Sequence, residues 1–106
     1  MARTLITLPA SAPRGSIIEI RTLIAHPMET GYRRDGDGSL LPRNILRRFE
    51  CRYNGELVFS TELFAAIAAN PYLAFPLRVG DSGTLSVSWT GDQGFAQTET
   101  VTLTAT

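Results

Sequence analysis

The stretch Thr84–Trp89, TLSVSW, alternates strictly: Leu85, Val87 and Trp89 on one side, Thr84, Ser86 and Ser88 on the other. A strand places successive side chains on opposite faces, so this piece reads as half-buried, with Trp89 as a core anchor. Similar short runs rich in β-branched and aromatic residues recur along the chain, separated by Gly, Pro, Asp and Asn turns. They predict strands at Thr4–Leu8, Ile17–Ala25, Ile45–Tyr53, Glu56–Thr61, Leu73–Val79, Thr84–Thr90 and Ala96–Thr104. About seven short strands in a chain of 106 residues predict an all-β, immunoglobulin-like β-sandwich forming a single domain over residues 1–106. The exception is TELFAAIAAN, residues 61–70, alanine-rich with Leu63, Phe64 and Ile67 spaced as one helical face. It predicts one or two helical turns ending at Asn70-Pro71.

Three turns punctuate the strands: Asn54-Gly55, Asp81-Ser82-Gly83 and Gly91-Asp92-Gln93-Gly94. Asn-Gly is the strongest of them, because both central residues of a type I′ hairpin turn need positive φ. A two-residue turn there pairs Tyr53 with Glu56, Arg52 with Leu57, Cys51 with Val58 and Glu50 with Phe59. Phe49, Cys51, Tyr53 and Val58 then share the buried face, and Leu57 and Phe59 stand among Arg48, Glu50 and Arg52 on the other. A lone domain buries one face of such a hairpin, so Leu57 and Phe59 are expected at a protein–protein interface. The alternative is a bulge, or arginine stems lying over both rings.

Composition narrows the function. Hydrophobic residues make up 43% and charged residues 19%, the balance of a globular protein. Ten basic residues, all arginine, offset ten acidic ones, which argues against a general electrostatic grip on nucleic acid or an anionic membrane. No run approaches the ~20 apolar residues of a membrane span. The apolar piece LITL near the N-terminus stops at Pro9, short of the roughly 7–15 residues of a secretory core, so no signal peptide is evident. With one cysteine, Cys51, neither an internal disulfide nor a cysteine zinc cluster can form.

The most chemically suggestive stretch is AHPMETGYRRDGDG, residues 25–38, which holds the only histidine. Zinc needs three or four ligands, and type 1 copper needs two histidines and a cysteine, more than this chain supplies. His26 and Met28 could hold Cu(I) only weakly, and the expectation is that His26 ends a strand, Pro27 stops its ladder and Met28 packs. Asp35-Gly36-Asp37-Gly38 resembles the start of a calcium loop, but the twelfth position is Leu46 and not glutamate, so a loop tip is expected. Cys51 has Arg48 and Arg52 nearby in sequence, yet alternation puts them on the opposite face. It reads as a small buried residue in preference to an exposed or partner-linked thiol. No paired carboxylates, phosphate loop or nucleophile elbow can be picked out, so no catalytic, cofactor-binding or metal residue is assigned and binding is favoured over catalysis.

Three segments in order carry a family resemblance: TLIAHPMETGYRRD, residues 22–35; RNILRRFECRYNGELVFSTEL, residues 43–63; and ANPYLAFPLRVGDSGTLSVSWTGDQG, residues 69–94. Together they resemble SoxZ, the Z subunit of the SoxYZ sulfur carrier complex of thiosulfate oxidation. The resemblance implies an immunoglobulin-like sandwich, no enzymatic activity of its own, no cofactor, and an obligate SoxY partner whose C-terminal cysteine arm carries the sulfur intermediates. It implies transient contact with the Sox enzymes, and a periplasmic location reached by export with a signal-bearing partner. His26 and Met28 would then be structural or interfacial. In an oxidising compartment Cys51 becomes a candidate inter-subunit thiol. The alternatives are a Z-like domain of a quinoprotein-associated redox system and a small periplasmic metal-binding domain using His26 and Met28.

Overall fold

Two antiparallel-dominated sheets face each other in the computed structural model, which describes residues 2–106. The strands are β1 (Thr4–Thr7), β2 (Ser11–Ala12), β3 (Ile17–Ile24), β4 (Leu46–Tyr53), β5 (Glu56–Glu62), β6 (Tyr72–Arg78), β7 (Gly83–Gly91) and β8 (Ala96–Ala105). The smaller sheet has the order β1-β3-β6 and the larger β2-β8-β7-β4-β5. This is the immunoglobulin-like β-sandwich that the alternation predicts. The eighth strand is the two-residue β2, too short to leave a hydrophobic period, which runs parallel to β8.

Alternation places the core. In β7, Leu85, Val87 and Trp89 are buried, as the pattern requires. Their cross-strand neighbours in β4 are Tyr53, Cys51 and Phe49, all buried. Phe49 sits edge-on to both Trp89 and Phe75, at centroid distances of 5.5 and 5.9 Å, and so ties the two sheets together. The small sheet contributes Ile20, Ile24, Phe75 and Leu77. Thr22, also buried, donates its hydroxyl to the Leu73 carbonyl at 3.1 Å.

The Asn54-Gly55 turn has φ of 50° and 86°, the type I′ geometry its sequence demands. Gln93-Gly94 repeats it between β7 and β8, with φ of 57° and 73°.

Two expectations are corrected. TELFAAIAAN contains no helix: Thr61 and Glu62 complete β5, and the remainder makes turns held by the Ile67 N–H donating to Phe64 O at 2.9 Å. A single alanine-rich turn cannot offset the cost of helix nucleation. Here Leu63 is drawn into the core and its N–H donates to Arg47 O at 2.9 Å. The β4–β5 register also shifts by one residue between Cys51 and Arg52: Arg52 opposes Leu57, but Cys51 opposes Phe59 and Glu50 opposes Ser60. Val58 is the extra residue of a β-bulge, which turns Phe59 inward and leaves Leu57 outside.

Candidate functional site

The strand end at His26 is a closed structural knot. The Asn70 side chain accepts from the His26 N–H at 3.0 Å, and the Asn70 N–H donates back to the His26 carbonyl at 2.7 Å. His26 Nδ1 accepts from the Met28 N–H at 3.1 Å, and Met28 Sδ accepts from the Leu46 N–H at 3.2 Å. His26 Nδ1 and one lone pair of Met28 Sδ are thus committed to backbone donors. Both side chains are buried within this chain, at 4% and 5% exposure, which fits the structural side of the expectation that they are structural or interfacial. The His26 ring packs edge-on against Phe95 at 5.3 Å. Its Nε2 is buried without a hydrogen-bond partner among the described residues. Burial pushes the His26 pKa below its ordinary value and outweighs the opposing pull of Asp92.

The loop beyond is a twisted hairpin arm with bridges at Glu29–Asn44 and Arg34–Leu40. At its tip the Asp35 carboxylate accepts from the Asp37 and Ser39 N–H groups at 2.9 and 3.1 Å, so it caps a turn. Among the described residues no group of three or more His, Cys, Asp or Glu side chains is placed to hold a metal ion.

Cys51 is fully buried, and desolvation raises its pKa to about 11. The thiol faces the sandwich interior opposite Val87, away from Arg48, Glu50 and Arg52. This fits the small buried residue expected of Cys51, and a partner would reach the sulfur only by opening β4. Of the two apolar residues expected on the outer hairpin face, Leu57 is there at 42% exposure, whereas Phe59 is half-buried.

A feature that the sequence pattern misses lies where β4 begins. Leu46 opposes Gly91 and Arg48 opposes Thr90, so Arg47 is the extra residue of a second bulge. It lines a cleft of about 520 Å³ together with Arg43, Arg48, Glu62 and Phe64. Arg43 grips Asp92 through two nitrogens, at 2.7 and 2.9 Å, and Asp92 also accepts from the Ile45 N–H at 3.2 Å. Burial works to raise the Asp92 pKa, but these bonds and the charge of Arg47 leave it lowered. No sequence signal marks the cleft except the Arg47-Arg48 pair, which simple alternation would split between two faces.

Known proteins bear on this arrangement. The family model described as "Sulphur oxidation protein SoxZ" matches residues 6–102. A search of curated protein sequences found no match. Among solved structures, a superoxide reductase (neelaredoxin) from Ignicoccus hospitalis is 13% identical, with a TM-score of 0.74 over 99% of this chain and 82% of that one. The sulfur carrier protein SoxY from Chlorobium limicola f thiosulfatophilum is 13% identical, with a TM-score of 0.67 over 97% of this chain and 78% of that one. The CARDB domain of a Pyrococcus furiosus protein is 11% identical, with a TM-score of 0.52 over 100% of this chain and 94% of that one. At these identities the likeness concerns the fold alone.

Proposed function

The chain belongs to the SoxZ family and is a component of the Sox sulfur-oxidation system, and from this premise we propose that it is the non-catalytic subunit of a SoxYZ sulfur carrier complex. On this reading it stabilises a SoxY-like partner, whose C-terminal cysteine arm holds the sulfur intermediates covalently, and it helps form the surface on which the Sox enzymes dock. It needs no cofactor. The observation that carries the reading is Cys51: the only thiol in the chain is fully buried and its pKa is raised to about 11. A sulfur carrier needs an accessible thiolate, since the thiolate is the nucleophile in persulfide and disulfide chemistry. On this reading the carrier cysteine belongs to another chain.

The outer face of the β4–β5 hairpin remains a partner surface on this reading, through exposed Leu57 with Val58 beside it in the bulge. The periplasmic location, with export alongside a signal-bearing partner, rests on the resemblance to SoxZ. Co-expression with the SoxY-like protein, followed by size exclusion and mass spectrometry, tests the assignment. A stoichiometric heterodimer supports it, and a folded monomer that ignores the partner overturns it.

A further inference from the structure

The cleft at the start of β4 is a built feature, and its construction bears on what it holds. Arg47 and Arg48 are adjacent, so in a regular strand one would face the core and the other solvent. The bulge at Arg47 breaks that rule, and both residues line one cleft. Three neighbours hold the bulge in place. Leu63 donates to the Arg47 carbonyl at 2.9 Å, and the Asp92 N–H donates to the Ile45 carbonyl at 2.9 Å. Gly91 lies so close that a Cβ there would fall 2.5 Å from the Ile45 carbonyl oxygen.

The charges around the cleft are not equivalent. Asp92 holds Arg43, and Glu50 holds Arg48 at 2.9 Å, so these two forks are oriented by carboxylates. Glu62 also lines the cleft. Arg47 is exposed and makes no ion pair among the described residues. Leu63, exposed Phe64 and Ala65 add apolar lining to the cleft. A free arginine beside two carboxylate-held ones, in a cleft with apolar lining, suits a compact oxyanion attached to a less polar group, because the guanidinium fork matches two oxygens at once.

The geometry points to this cleft as a binding site for a sulfonate- or sulfate-type oxyanion, with Arg47 as its principal contact. The choice of a sulfur oxyanion rests on the sulfur-carrier reading above; the anion class rests on the arginines. Two sources share the chemistry: a free inorganic sulfur oxyanion, and an oxidised sulfur group displayed on a peptide.

The test is a ¹H–¹⁵N NMR titration of the full chain with sulfate, thiosulfate and a short peptide bearing S-sulfocysteine, against chloride at matched ionic strength. Saturable shifts confined to Arg43, Arg47, Arg48 and Leu63–Ala65 are expected. Arg47→Gln should weaken binding about tenfold or more. Arg52→Gln, outside the cleft, should leave it unchanged. Binding of the inorganic anions identifies a free-ion site, and binding of the peptide alone identifies a carried group; either supports the assignment. Shifts that match chloride, or that survive Arg47→Gln, overturn it. Absence of such shifts in a chain that still pairs with the SoxY-like partner refutes the cleft and leaves the subunit reading standing. Failure to pair refutes that reading, whatever the cleft binds.

Discussion

Phe59 and Phe75 stack face to face across the open side of the sandwich, ring centroids 4.4 Å apart and planes within 2°. Phe59 belongs to β5 at the edge of the large sheet and Phe75 to β6 at the edge of the small one, so the pair closes the seam between the two sheets. A strict two-residue hairpin would have put Phe59 in solvent. The bulge at Val58 exists at the cost of one ladder position, and the stacked pair offsets it.

Truncating Phe59 to Ala should therefore destabilise the chain by about 2–3 kcal/mol, below the full cost of a buried phenylalanine because the ring is only half-covered. Leu57→Ala, on the outside, should cost less than about 0.5 kcal/mol. Urea denaturation of both variants checks this. Equal losses would mean that the hairpin follows the register without the bulge.

Alternation made most of the fold legible. It located seven of the eight strands and the buried set Leu85, Val87 and Trp89, because a strand buried on one face leaves a period of two in the sequence. Bulges leave no such trace: Arg47 and Val58 look like ordinary strand residues, and their effect appears only when a neighbouring strand sets the register. The strand end at His26 was legible for a different reason, since Pro27 cannot continue a ladder. Its burial was not, because the clamp comes from Asn70, 44 positions along the chain.

Gly91 gives a test of the second bulge. Gly91→Ala would force a Cβ against the Ile45 carbonyl and the Leu46 Cα, where only backbone can yield. A loss of about 1–3 kcal/mol is expected, with amide shifts in Ile45–Arg48 that exceed those in the rest of β4. A neutral substitution would show that the bulge is not pinned there.

His26 makes stability depend on pH. Its folded pKa lies below the ordinary 6.5, so the unfolded chain takes up the proton first as pH falls. The contribution of neutral His26 is thus complete above about pH 6.5 and is lost progressively as pH drops from there towards the folded pKa. Denaturant midpoints measured between pH 7.5 and 5 should fall with acidity. The slope across that window should flatten in His26→Phe, and an unchanged slope would assign it to other groups.

Cys51 should be silent in the native state. Thiol reagents at pH 8 should label it only at the rate of β4 opening, and fully in denaturant, because burial holds the thiol protonated. Rapid stoichiometric labelling of folded protein would contradict the buried placement.

The central claim is that sulfur rides on a different chain. Intact mass spectrometry of both subunits, after the purified complex has been charged by the thiosulfate-oxidising enzymes, measures it directly. Sulfur adducts confined to the SoxY-like subunit, with this chain at its unmodified mass, are the predicted result; an adduct on this chain that Cys51→Ser removes would contradict the account.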